Sequence, residues 1–222
     1  MTQAPAWLDP LVTAVRAAPV EELSRHVPPY GGGRESAVLI ALRDDAHGPA
    51  VLLIERAAGI RRHAGQVGFP GGVIDPGDTG PVATALREAG EEVGLDPSSV
   101  EVLATLPQLF VPPTRFLVTP ILGWWVRPHP VGVVDINEVA RVAIVSFAEL
   151  AAPANRFRVQ HPSGYIGPAF EAGGLFIWGF TGGVLDALLR LGGWEQPWDA
   201  QQIRPLPPVL GGGTAALGTV PP

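Results

Sequence analysis

Apolar residues along the chain recur with two distinct periods. Residues 7–17 (WLDPLVTAVRA) space them three and four apart, which predicts an amphipathic helix. Residues 36–43 (SAVLIALR) and 50–55 (AVLLIE) are short, almost unbroken apolar runs of strand length. The turn-forming stretch Asp44-Asp45-Ala46-His47-Gly48-Pro49 separates them. Residues 59–80 are dense in glycine and charge, which predicts a functional loop more than a packed element.

A second helix is predicted over 81–93. Asp78 or Thr79 is expected to cap it, Pro81 is compatible with its first turn, and Gly94 stands where a left-handed stop belongs. Val82, Leu86, Ala89 and Val93 form one apolar stripe facing the core. Further strands are expected at 99–106, 116–126 and 139–145, and a helix at 177–191. This order of elements predicts an α/β or α+β layered domain. It is read as a single domain over 1–203 with an N-terminal helical extension, followed by an extended or mobile Pro/Gly-rich tail over 204–222.

Composition narrows the chemistry. Among 222 residues there is no Cys, which excludes disulfides, Cys-ligated metals and a thiol nucleophile. All 15 basic residues are Arg, which excludes Schiff-base chemistry and a P-loop lysine. The net charge of −6 argues against a broad nucleic-acid-binding surface. Neither a secretory leader nor a membrane-length apolar run is legible, so the expectation is a cytoplasmic protein without nucleic-acid or membrane partners.

On the 81–93 helix, Glu88 and Glu92 are one turn apart and Glu91 flanks them. A solvated acidic face is the plain reading, at a repulsive cost of about 0.2–0.5 kcal/mol for each close pair. The alternative is a site for a hard cation such as Mg²⁺ or Mn²⁺, which favours oxygen ligands. Phe69-Pro70-Gly71-Gly72 supports the alternative, because a glycine turn lets backbone approach the carboxylates or a phosphate closely.

Residues 72–95, GVIDPGDTGPVATALREAGEEVGL, resemble a Nudix box: G, five residues, E, seven residues, then R-E-U-x-E-E-x-G-U with U aliphatic. The second half matches as Arg87-Glu88-Ala89-Gly90-Glu91-Glu92-Val93-Gly94-Leu95. The first half departs from it, with Asp78 at the acidic position and eight residues before Arg87. Upstream, Leu52-Leu53-Ile54-Glu55-Arg56-Ala57, then Arg61, Gly65 and Phe69-Pro70-Gly71-Gly72, is similar to the signature L-L-T-x-R-[SA]-x3-R-x3-G-x3-F-P-G-G of coenzyme A diphosphatases, with Ile54 replacing Thr.

That resemblance implies an α/β/α sandwich with a mixed β-sheet and metal-dependent cleavage of the diphosphate of coenzyme A, free, acylated or oxidised. The products would be 4′-phosphopantetheine and adenosine 3′,5′-bisphosphate. It implies metal ligation by Glu88 and Glu92, with Glu91 supporting a second ion, the Gly72 carbonyl completing the shell and Arg87 orienting the glutamates. Arg56, Arg61, Gly65, Phe69 and Gly71 are carried over as substrate-binding positions. Arg56, Arg61 and Arg62 with His63 also form a local cationic patch suited to an anionic nucleotide. Glu138, just ahead of a predicted strand, is the expected general base, with Glu91 as competitor. Rival readings are a Nudix hydrolase of another nucleoside diphosphate derivative such as ADP-ribose, with Pro112 and Pro113 near that subfamily's downstream proline, and a catalytically silent Nudix-like module. A homodimer is left open.

Overall fold

A computed structural model describes residues 4–24, 32–46, 48–58, 65–112 and 114–211. Expectations for His47, Arg61, Arg62, His63, Pro113 and residues 212–222 fall outside these. A 3₁₀ turn at Ala6–Leu8 leads into α1 (Asp9–Ala17), and a short α2 (Val20–Leu23) follows. Strand β1 (Arg34–Asp45) hairpins into β2 (Gly48–Arg56), then come β3 (Val67–Gly68) and β4 (Gly71–Val73), and α3 covers Pro81–Val93. Next are β5 (Val100–Thr105), β6 (Leu109–Val111), β7 (Phe116–Trp125), β8 (Val139–Ser146) and α4 (Phe147–Ala151). The chain continues through β9 (Arg156–Gln160), β10 (Ile166–Ala172), β11 (Leu175–Ile177), α5 (Gly179–Leu191), β12 (Ile203–Pro205) and α6 (Pro208–Gly211).

Among the described residues, eight strands form the main sheet. Its path is β3-β2-β1-β7-β5, with β4 on β1, β6 on β7 and β8 on the outer side of β2. Only the β1–β7 pairing is parallel, running from Arg34 opposite Phe116 to Leu42 opposite Trp124, so the sheet is mixed as expected. Side chains alternate across it with the strand period of two. Leu39, Ala41, Leu52, Ile54, Ile121 and Trp125 meet Ala85, Ala89 and Val93 of α3 on one face. Ile40, Leu42, Val51, Leu53, Leu122 and Trp124 meet Leu11 and Val15 of α1 and Leu185 and Leu188 of α5 on the other. Helices thus cover both faces, giving the expected α/β/α sandwich.

The smaller sheet, β11-β10-β9-β12, packs Phe170, Ala172, Leu175 and Ile177 into the same core as α5. The sequence reading missed it and started the last helix at 177, where Ile177 still belongs to β11. The expected boundary at 203 also falls inside a strand. Residues Ile203–Pro205 pair in parallel with Arg158–Gln160, so this part of the tail is built into a sheet.

The α3 cap differs from expectation as well. Its N-cap is Gly80 at φ 135°, with no side-chain cap. Asp78 is instead turned to other partners described below, and a glycine reaches the left-handed region that a capping Thr79 would resist. At the other end Gly94, at φ 72°, makes the expected left-handed stop.

Leu188 is fully buried between α5 and the main sheet. Leu188→Ala is expected to cost about 2–5 kcal/mol by removing buried methyl groups and leaving a cavity. Urea unfolding of the variant beside the parent chain measures it.

Candidate active site

Three chain segments meet at the end of α3: the end of β2, the glycine turn entering β4, and the helix itself. The turn is stitched to β1, with Leu39 N–H donating to the Pro70 carbonyl at 2.8 Å and Ala37 opposite Gly72. A Cβ on Gly71 would overlap the Ala37 carbonyl and Val38 backbone, and one on Gly72 would overlap the Glu88 carboxylate. Backbone on the neighbouring strand therefore requires glycine at position 71, while at position 72 the absent Cβ leaves room for the Glu88 carboxylate directly against the turn.

Glu92 is 2% exposed. Its Oε2 accepts the Gly71 N–H at 2.9 Å, and its Oε1 is buried without a hydrogen-bond partner. Arg56 lies 3.9 Å from Oε1 through Nη2, which also donates to the Gly71 carbonyl at 3.3 Å. Burial pushes the Glu92 carboxyl up to about 7, against the lowering effects of Arg56 and the Gly71 N–H. Glu88 is also raised, first by burial and then against the opposing pull of Arg87. The charges of Glu138 and of the neighbouring glutamate act on both groups in the same direction.

Glu91 behaves differently. Its side chain is 60% exposed and is held by Arg87 at 2.9 Å, so the three glutamates do not converge: two face the glycine turn and one faces outward. Arg87 is the hub beneath them. Its Nε and Nη2 grip Asp78 in a fork at 3.0 and 2.9 Å, and its Nη1 reaches Glu88 Oε1 at 3.1 Å as well as Glu91. Asp78 also accepts from Thr84 Oγ1 and from Asp75 N–H. The Arg87 fork, then these two bonds, hold the Asp78 carboxyl well below the usual carboxylate range.

The sequence reading assigned Asp78 no part in the site. The fork shows that the shortened side chain and the extra residue before Arg87 still deliver a carboxylate to the guanidinium. The signal was the acidic residue itself at the box position.

Other candidate positions fall as follows. Phe69 is 2% exposed and buried in the core with Val67 and Leu53, so its ring supports the turn from below instead of lining a ligand site. Gly65, at φ 68°, closes the β2–β3 hairpin by donating to the Arg56 carbonyl at 3.0 Å. Glu138 is exposed, its carbonyl accepts the Ala57 N–H at 2.8 Å, and its carboxylate has no side-chain partner among the described residues. Arg61 lies outside the described residues.

Among the described residues no three His, Asp or Glu side chains make a ready-made cation cage. The donor set still suits a small hard cation. Mg²⁺ keeps several waters and takes one or two carboxylates plus substrate oxygens. An orphaned buried carboxylate oxygen on Glu92 and a Glu88 carboxylate pressed to glycine backbone provide that pair.

A family model described as NUDIX domain matches residues 33–163. The uncharacterized Nudix hydrolase NudL of Citrobacter koseri is 38% identical over 171 residues, covering 72% of this chain and 83% of the relative. Its counterpart in Cronobacter sakazakii is 36% identical over 176 residues, covering 74% and 85%. Among solved structures, the M. smegmatis Nudix hydrolase RenU aligns over 76% of this chain and 91% of its own with a TM-score of 0.49 and 18% identity.

The raised Glu92 carboxyl sets a pH dependence. Between its ordinary 4.5 and about 7 the folded protein keeps a proton that the unfolded chain releases. Stability of the metal-free protein therefore falls as pH rises through that window, with a slope of up to about 1.4 kcal/mol per pH unit from this group. Thermal melts in chelator are expected to show the decline, and Glu92→Gln is expected to flatten it and to be the more stable protein above pH 7. Parallel pH profiles for the two proteins would contradict this account.

Proposed function

The chain belongs to the Nudix family of hydrolases, and on that premise we propose that it hydrolyses the diphosphate bridge of coenzyme A or a derivative of it. The observation that carries the reading is the pair of carboxylates gathered on the glycine turn beside Arg56, in a segment whose spacing follows the coenzyme A diphosphatase signature from Leu52 to Gly72. Among the described residues no helix is long and apolar enough to cross a membrane.

Glu88 and Glu92, with the Gly72 main-chain carbonyl, would hold Mg²⁺ or Mn²⁺, and Glu91 would support a second ion. When bound, such ions neutralise charge on the diphosphate oxygens and make a bound water acidic. The protein's own groups do the rest. Arg56, at the end of β2, brings a guanidinium to the rim of the turn, where it is suited to a diphosphate oxygen. Arg87, anchored by Asp78, keeps Glu88 in place and draws Glu91 outward. Glu138 takes the proton from the attacking water. It is favoured over Glu91 because the Glu91 carboxylate, paired through Oε2 with Arg87, is assigned to the second ion. The products are 4′-phosphopantetheine and adenosine 3′,5′-bisphosphate, and Arg61 is assigned to the 3′-phosphate.

Turnover of coenzyme A, dephospho-coenzyme A and ADP-ribose at equal Mg²⁺ or Mn²⁺, with products identified by mass, tests the substrate. Coenzyme A is expected to be cleaved fastest, and a clear preference for ADP-ribose would replace this reading. Glu92→Gln is expected to lower kcat by about 100-fold or more while the protein stays folded, since one ligand is lost from the reaction centre. Arg61→Ala is expected to raise KM for coenzyme A about tenfold and to leave that for dephospho-coenzyme A nearly unchanged, a difference of about 1.4 kcal/mol in binding. Equal losses on both substrates would take Arg61 out of 3′-phosphate recognition.

A further inference from the structure

We propose that Asp135 is a positioning residue for the reaction, fixing the turn that carries Glu138 to the carboxylate pair. The proposal rests on the reading of Glu138 as general base. Residues 126–138 connect β7 to β8, and this long connection runs across the C-terminal end of α3. There Gly132 N–H donates to the Val93 carbonyl at 3.1 Å and Val134 N–H to the Glu92 carbonyl at 3.0 Å. These are carbonyls a helix end leaves without partners of its own, so the connection docks on the residue whose side chain is the buried carboxylate.

From that anchor the chain must reverse within four residues to enter β8 at Val139. Asp135 makes the reversal. Its carbonyl accepts from Glu138 N–H at 3.2 Å and Val139 N–H at 2.9 Å. Its Oδ1 accepts from Asn137 N–H at 2.8 Å and Asn137 Nδ2 at 3.1 Å. A side-chain oxygen that takes the N–H two residues on is the local bond by which Asp closes such a turn.

Val139, where the reversal ends, is buried, but the apolar side chains within the turn are not. Val134 is 60% and Ile136 77% exposed. On the far side the Ala57 N–H, one residue past Arg56, donates to the Glu138 carbonyl at 2.8 Å. Glu138 is thus suspended between α3 and β2, with the Asp135 bonds setting where its side chain leaves the backbone. A displacement of about 1 Å at a reacting group can cost on the order of 100-fold in rate.

Asp135→Ala is expected to lower kcat about 10- to 100-fold with KM changed by less than about threefold. Asp135→Asn keeps an acceptor oxygen and is expected to return kcat to within about threefold of the parent. In a Glu138→Gln background Asp135→Ala is expected to cost nothing further, because both changes remove one contribution. In the metal-free protein, amide hydrogen exchange at Asn137, Glu138 and Val139 is expected to quicken in Asp135→Ala and not in Asp135→Asn.

The proposal is overturned by a parent-like kcat in Asp135→Ala, by equal impairment of the Ala and Asn variants, by an additive loss in the Glu138→Gln background, by unchanged exchange, or by a Glu138→Gln variant that works normally. Parent protein inert toward all three substrates would sink the hydrolase reading itself, and the exchange comparison separates that result from a failure of Asp135 alone.

Discussion

A single hydrogen bond, from the Gly71 N–H to a carboxylate oxygen of Glu92, organises the centre of this molecule. It joins the turn between β3 and β4 to the last turn of α3, at a point where glycine at position 71 lets the turn lie against β1 and glycine at position 72 leaves room for the Glu88 carboxylate. The bond satisfies one oxygen and leaves the other buried and unpaired. An isolated buried carboxylate is costly, and the chain tolerates the cost by protonation or by supplying positive charge. Arg56 supplies part of that charge at 3.9 Å, a distance that leaves room for more. The same contact that closes the fold therefore leaves a buried carboxylate oxygen that protonation or nearby positive charge must compensate.

Around this contact the arginines divide the work. Arg87 faces the outer side of α3 and pairs with Asp78, Glu88 and Glu91, so its charge is spent on holding these carboxylates in place. Arg56 faces the inner side and, among the described residues, touches one carboxylate at long range and keeps donor capacity. With no lysine in the chain, every cation at the site is a planar fork that fixes direction as well as charge. Glu91 lies on the Arg87 side of this division, exposed and paired with the guanidinium at 2.9 Å.

Much of this was legible in the residues, for particular reasons. The runs at 36–43 and 50–55 read as strands because both of their faces are buried, which removes polar interruptions. The α3 stripe and Gly94 read correctly because local chemistry decides them. The glutamate spacing put Glu88 and Glu92 on one face, though not the capture of Glu91 by Arg87, which depends on where the long Arg side chain finds its other partners. The second sheet escaped because its strands break the strand pattern. Pro168 stands in the middle of β10, and Arg156 opens β9 from a position 1% exposed. That arginine is stacked over Trp198 and Phe170 and bonded to Asp186 and Glu195, four residues brought together only by the tertiary fold. Asp78 escaped because a shorter acid displaced by one residue looks defective in one dimension and is complete in three.

The parallel pairing of β1 with β7 sets a schedule for the chain as it is made. Arg34 cannot meet Phe116, nor Leu42 meet Trp124, until residues 116–124 have left the ribosome, and non-local pairings of this kind slow folding. Until then the glycine turn and its glutamates can assemble only against an unfinished sheet. β2 gains its outer neighbour only when β8 emerges, and α5, which closes the other face, comes later still. A nascent chain stalled before residue 139 would expose the apolar flank of β2 as an open edge, the kind of surface on which chaperones act and aggregates start.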